Sequence, residues 1–263
     1  MKKYIYIFKS EVMSNLQYIF NTFVGFIGHF IMLFILFNLY RYLYSNPNEV
    51  INGYTSSQMI WYVIFTEVIW ASTTGRKLCK KISNDVKSGN VIYNINKPYS
   101  YVGYALSSHM GTTFIKSIVY VIFSVILGII FTSMFPSMSI LKLLIIILSF
   151  LLAVIISDLL VIAIGMLSFK IEDSGPIYWV YSKLILLLGV LFPIEYFPSV
   201  FQPILKYSPV YVTTSGPAKL FVDFSYDIAY KTLLIQLVYL VMVIILCKVM
   251  YKKGVRNLNV NGG

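Results

Sequence analysis

The chain has 263 residues, 58% of them hydrophobic and 12% charged, with a mean hydropathy of +0.78. A soluble domain carries about 25% charged residues, so this composition excludes one and reads as an integral membrane protein. The net charge of +11 does not point to nucleic acid, because the basic residues lie between apolar runs, the pattern that sets membrane topology.

Residues 1–20, MKKYIYIFKSEVMSNLQYIF, place Ile5, Phe8, Val12, Leu16 and Ile19 at helical spacing, with Lys9, Ser14 and Gln17 elsewhere on the wheel. This predicts an amphipathic helix in the membrane interface. Polar residues interrupt its apolar part and no small-residue cleavage site follows, so it is not read as a signal peptide.

Six spans follow within 22–250, each near the ~20 residues a bilayer needs. They run over about 22–44, 58–74, 103–133, 141–168, 177–193 and 231–250. With the N-terminus inside, the cytosolic segments hold fourteen of the 21 Lys and Arg, and the outer loops 45–57 and 134–140 hold none. That bias puts both termini in the cytosol. Residues 76–98 then form a basic cytoplasmic loop after the second span, and 251–263 a cytoplasmic tail. Cys79 and Cys247 lie beside basic clusters, so on the cytosolic side no disulfide is implied.

The stretch 193–217 carries five prolines, at 193, 198, 203, 209 and 217, yet stays apolar and aromatic between them. Prolines break a continuous helix, and broken backbone is tolerated at membrane depth only within protein or a wet cavity. A re-entrant outer hairpin between the fifth and sixth spans is expected.

The sequence shows no catalytic constellation and no metal-ligand spacing, and no cofactor is expected. No Gly-Lys dipeptide occurs, so phosphates of ATP have no P-loop here. His29 and His109 stand alone in the sequence and read as helix-contact residues. Glu67, Asp158 and Lys183 are the ionisable groups singled out within spans. Buried charge in a membrane marks functional candidates, so Glu67 and Asp158 are assigned to a substrate path, a cation site or a proton relay. Pairing within the bundle is the alternative. Lys183 lies close enough to the cytosolic face to snorkel.

The order of these elements resembles the membrane subunit of a type-II ABC exporter, the permease family that includes bacterial drug and antibiotic exporters. The segment ISNDVKSGNVIYNINKP, Ile82 to Pro98, is similar to that family's coupling segment. LFPIEYFPSVFQPIL, Leu191 to Leu205, resembles its outer hairpin, and the basic Gly-ended tail YKKGVRNLNVNGG resembles those of one subfamily. The resemblance implies a single permease domain over 1–263, all-α, in the cytoplasmic membrane. It implies two copies of a separate ATP-binding subunit and a second permease, identical or homologous, in a membrane-lipid setting with no nucleic acid. ATP hydrolysis would belong to the partner, so the chain itself is not an enzyme. The coupling residues would be Ile82, Asp85, Val86, Lys87, Ser88, Gly89, Val91, Ile92 and Ile95. Val86, Val91, Ile92 and Ile95 would supply apolar contacts, Asp85 and Lys87 polar ones, and Ser88-Gly89 the turn. The path would include Phe23, Phe26, Phe30 and Phe34 on the first span, with Glu67 and Asp158. The expected substrate is a hydrophobic or cationic drug-like molecule or a peptide, as in multidrug resistance. A proton-coupled secondary transporter using Glu67 and Asp158 is the rival reading; it predicts internal repeats, and none is seen.

Overall fold

A computed structural model describes residues 2–44, 46, 49–94, 97–132, 135–136 and 138–261, with backbone alone at 92–93 and 257–261. The chain is almost entirely helical. Helix α1, Lys2–Gln17, ends at Tyr18, and α2, Ile19–Leu43, begins at once. Tyr18 takes non-helical backbone angles (φ −107°, ψ 31°), so the two helices are separate bodies. No residue of α1 is fully buried. Its inner face carries Tyr4, Phe8, Glu11, Val12 and Asn15, so Phe8 and Val12 of the expected stripe turn inward while Ile5 and Leu16 are exposed. That face lies along α6, Tyr101–Thr132. Phe8 meets Phe114 edge-on at 5.7 Å, and Asn15 Nδ2 donates to Thr112 Oγ1 at 3.1 Å. Gly111 permits the approach, because a Cβ there would stand 2.7 Å from Glu11 Cβ and 2.9 Å from the Phe8 carbonyl.

Between α2 and α3 lies a two-stranded hairpin, β1 (Val50–Ile51) and β2 (Tyr54–Thr55). Asn52 and Gly53 turn it, both at positive φ (49° and 88°), as an Asn-Gly pair of the primed turn type does. Helix α3, Ser56–Ser72, opens on a capping box in which Thr55 and Gln58 satisfy each other's backbone N–H groups. It is buried on nearly every side, from Met59 to Ser72, and is the central post of the bundle.

The loop expected on the cytoplasmic side is helical over most of its described residues. It comprises α4, Arg76–Lys87, and α5, Asn90–Tyr93, joined through Gly89 at φ +71°. Helix α7, Ile140–Met166, is capped by Ser139. Helix α8, Gly175–Ile185, loosens into a π-helical stretch over Leu186–Leu191 and stops before Pro193. The carbonyls this loosening frees find donors within the bundle: Tyr62 Oη donates to Gly189 O at 2.9 Å, Thr66 Oγ1 to Val190 O at 3.3 Å, and the Tyr40 hydroxyl to Leu191 O.

The proline-rich stretch forms a 3₁₀ turn (Ile194–Tyr196), α9 (Gln202–Lys206), a π turn (Tyr211–Ser215) and α10 (Gly216–Val222). Its second half packs into the bundle, with Thr213, Thr214, Ala218 and Leu220 buried. Gln236 donates to Val212 O at 2.9 Å and Ser149 O at 3.0 Å, and so ties the broken backbone to two helices. Glu195 and Lys219 close the stretch with an ion pair.

Helix α11, Tyr226–Asn261, is 36 residues long and runs without interruption from the sixth expected span through most of the expected tail. Gly254 lets it pass against Phe169, whose ring would lie 2.3 Å from an added Cβ. Each of the six segments expected to cross is helical. Among the described residues, four helices are long and apolar enough to span by themselves: Ile19–Leu43, Tyr101–Thr132, Ile140–Phe169 and Tyr226–Arg256. Helix α3 and the run Gly175–Leu191 have 17 residues each, about 26 Å at 1.5 Å per residue. The chain is therefore a multi-pass, all-α membrane protein with one short β-hairpin among its described residues.

Candidate functional site

Two places gather the residues that the sequence singled out. The first is the α4–α5 segment. Its apolar side is not free. Ile82, Val86 and Val91 are 1%, 5% and 0% exposed and belong to the chain's largest buried cluster, with Leu159, Ile162, Met166 and Cys247. Gly165 of α7 accommodates Ile82, whose Cβ would lie 3.0 Å from a Cβ there. Helical spacing explains the orientation, since 78, 79, 82, 83 and 86 fall on one face, and all five are buried. The expectation that Val86 and Val91 offer apolar contacts to a partner meets this packing: both are engaged inside the chain. The outward face is Lys77, Lys80, Lys81, Asn84, Lys87 and Ser88, all exposed. Asp85 is half-buried and accepts from Tyr101 Oη at 2.8 Å, which fixes α4 to the foot of α6. Ile95 and the side chain of Ile92 lie outside the described residues.

The second place is an open cleft of about 730 Å³ between α1, α2, α3 and α6. Glu67 lines it and is 1% exposed. His29, at 4% exposure, places Nδ1 3.4 Å from Glu67 Oε1, while its Nε2 lies 2.7 Å from Ser124 Oγ. The His29 ring stacks on Tyr120, 4.8 Å apart with a 7° tilt. The other carboxylate oxygen, Glu67 Oε2, is buried with no hydrogen-bond partner.

Asp158 makes a parallel pair elsewhere in the bundle. It is 0% exposed; its Oδ2 accepts from Thr113 Oγ1 at 3.3 Å, and its Oδ1 lies 3.0 Å from His109 Nδ1. That last approach has ion-pair distance without hydrogen-bond alignment, since Oδ1 has no hydrogen-bond partner. Two histidine–carboxylate pairs, each with a buried carboxylate, thus hang on one helix: His109, Thr113, Tyr120 and Ser124 recur along α6. Neither histidine stands alone, and only three-dimensional packing reveals its partner.

Among the expected path phenylalanines, Phe26 is inside this network, 5.5 Å from the His29 ring and 4.8 Å from Phe123. Phe23 meets Phe123 at its edge, while Phe23, Phe30 and Phe34 are exposed on the outer side of α2. Asp158 is absent from the cleft wall. Lys116, which sequence reading did not single out, is in that wall, together with Lys77 and Glu11. A lysine in the middle of a 32-residue apolar helix was the signal that pointed to it.

A family model described as "ABC-2 family transporter protein" matches residues 30–262. No curated protein matches the chain.

Proposed function

The chain belongs to the ABC-2 family of transporter proteins, and on that premise we propose that it is the six-span permease subunit of an ATP-driven exporter. The family match over residues 30–262 is the observation that carries this reading. The chain sits in the cytoplasmic membrane with both ends in the cytosol, an orientation that the positive charge bias supports. It pairs with a second permease, a copy or a homologue, and each permease engages one ATP-binding subunit, so the assembly holds two. The proline-rich stretch is the re-entrant outer hairpin, and the bonds from Gln236 to Val212 and Ser149 support backbone held at membrane depth by protein partners.

The α4–α5 segment is the coupling element. Its polar face of Lys80, Asn84, Lys87 and Ser88, with the Gly89 turn, meets the ATPase. Ile82, Val86 and Val91 transmit movement because they belong to the buried cluster built with α7. A substrate that is hydrophobic or cationic enters beside α2 and α3, where Glu67 and Phe26 lie.

The two histidine–carboxylate pairs favour a second reading, transport driven by protons. One experiment separates the two. Inside-out vesicles containing the chain and its ATPase are energised either with ATP under an uncoupler or with a proton gradient without nucleotide. ATP alone is expected to drive accumulation of a lipophilic cation. Accumulation on the gradient alone overturns the exporter reading.

A further inference from the structure

Three carboxylates among the described residues, Glu49, Glu67 and Asp158, have a buried oxygen without a hydrogen-bond partner, and of these Glu67 lines the cleft. Glu67 Oε2 has no donor, and its carboxylate lines the 730 Å³ cleft beside the Trp70 and Tyr120 rings. An unsatisfied buried acceptor is unfavourable, and a carboxylate among aromatic faces is the chemistry that receives an ammonium group. The same wall carries the opposite charge. Lys77 and Lys116 line it, and neither is ion-paired with an acid among the described residues. Glu11, also in the wall, accepts from Ser108 Oγ at 3.3 Å. The wall thus offers two ammonium groups and a buried carboxylate to one ligand.

Glu67 and the two lysines line the same cleft. Lys116 and Tyr120 are one turn apart on α6, about 6 Å along its axis. Tyr120 stacks on His29, which lies 3.4 Å from Glu67. A single ligand that carries both charges can meet both within this cleft. Beside the cleft-lining positions of α2 runs an exposed apolar stripe of Phe20, Val24, Ile27 and Ile31.

We propose that the cleft binds a zwitterionic amphiphile. Its ammonium group rests on Glu67 between Trp70 and Tyr120. Its phosphate or carboxylate lies between Lys77 and Lys116, and its apolar chain runs along α2 in the bilayer. This deepens the transport reading by giving the substrate class for the same cleft.

The test is binding of radiolabelled dodecylphosphocholine to the full chain held in a neutral maltoside. Competitors are dodecyltrimethylammonium, dodecyl phosphate and tailless glycerophosphocholine. Unlabelled dodecylphosphocholine is expected to displace the label about tenfold better than either singly charged amphiphile, the worth of one charged contact. Glycerophosphocholine is expected to displace it least. Glu67→Gln should weaken binding about tenfold and bring dodecyl phosphate level with the zwitterion. Lys116→Gln should do the mirror image with dodecyltrimethylammonium. If Glu67→Gln does not fold, Lys116→Gln and Lys77→Gln carry the comparison from the other charge. Equal displacement by all three alkylated compounds, or unchanged affinity in both charge variants, overturns the proposal. Glycerophosphocholine competing as well as the alkylated zwitterion overturns the amphiphile and leaves a soluble zwitterion. Binding is read without nucleotide or ATPase, so its failure is distinct from failure of the exporter reading, which capture of the ATPase tests independently.

Discussion

Val86 and the exposed side of α4 give opposite responses if the packing is as described. Val86 is 5% exposed, within the buried cluster that joins α4 to α7. Val86→Ala removes two carbons, about 0.8 kcal/mol each in transfer free energy, and leaves a small cavity, for a loss of about 2 kcal/mol. Val86→Asp places an unpaired charge in the same cluster and should cost several kcal/mol. Lys80→Glu with Lys87→Glu alters only exposed positions, whose substitution changes stability by about ±0.5 kcal/mol. Those reversals face the proposed ATPase site. If each side chain contributes about 1 kcal/mol to docking, the pair should weaken it more than tenfold. The assays are thermal unfolding of the purified chain and capture of the ATPase by the tagged chain. The account expects Val86→Ala to melt several degrees lower, and the double lysine variant to melt normally but lose the ATPase. A Val86→Ala chain with unchanged melting that releases the ATPase would show that Val86 faces the partner and refute the reasoning.

Cys79 and Cys247 are 1% and 0% exposed, and burial pushes the Cys79 thiol pKa up; both should resist maleimide even in permeabilised cells. Asn90→Cys should react only after permeabilisation and Val200→Cys in intact cells, both positions being exposed; the reverse pattern inverts the topology. Gly111→Leu should lift α1 from α6, since even a Cβ meets Glu11 and the Phe8 backbone below 3 Å; an unchanged protease-cleavage pattern in α1 would count against that contact. Burial alone would raise the Glu195 pKa, but the Lys219 ammonium and the Tyr54 hydroxyl hold it below the ordinary carboxylate value. Its folded pKa is therefore depressed, so its stabilising contribution is present above the unfolded pKa of about 4.3 and lost as pH falls below it. Glu195→Gln should flatten this part of the acid melting profile, and an identical profile would remove the link.

Hydropathy and charge made the six segments legible because apolar length is a property of the sequence itself, and all six are helical. Asn52-Gly53 encoded the small hairpin, but two-residue strands among long helices do not announce themselves. The length of α11 was understated because Lys252, Lys253 and Arg256 read as tail, whereas a helix tolerates all three on its wet side. The side on which α4 buries its aliphatics was not legible: spacing shows that 82 and 86 share a face, not whether that face meets a partner or the chain's own α7. The pairing of His29 with Glu67 and of His109 with Asp158 joins residues 38 and 49 positions apart, and no local pattern records such distances. Lys116 was visible in the sequence and was passed over in favour of the acids.

The central claim, that this permease works through a separate motor, is tested most directly by purifying the tagged chain from its native membrane in mild detergent. The account predicts that an ATP-binding-cassette ATPase co-elutes in a one-to-one ratio and hydrolyses ATP, and that the chain stripped of it hydrolyses none. A folded chain that elutes with no ATPase, or that hydrolyses ATP by itself once contaminants are removed, would contradict it.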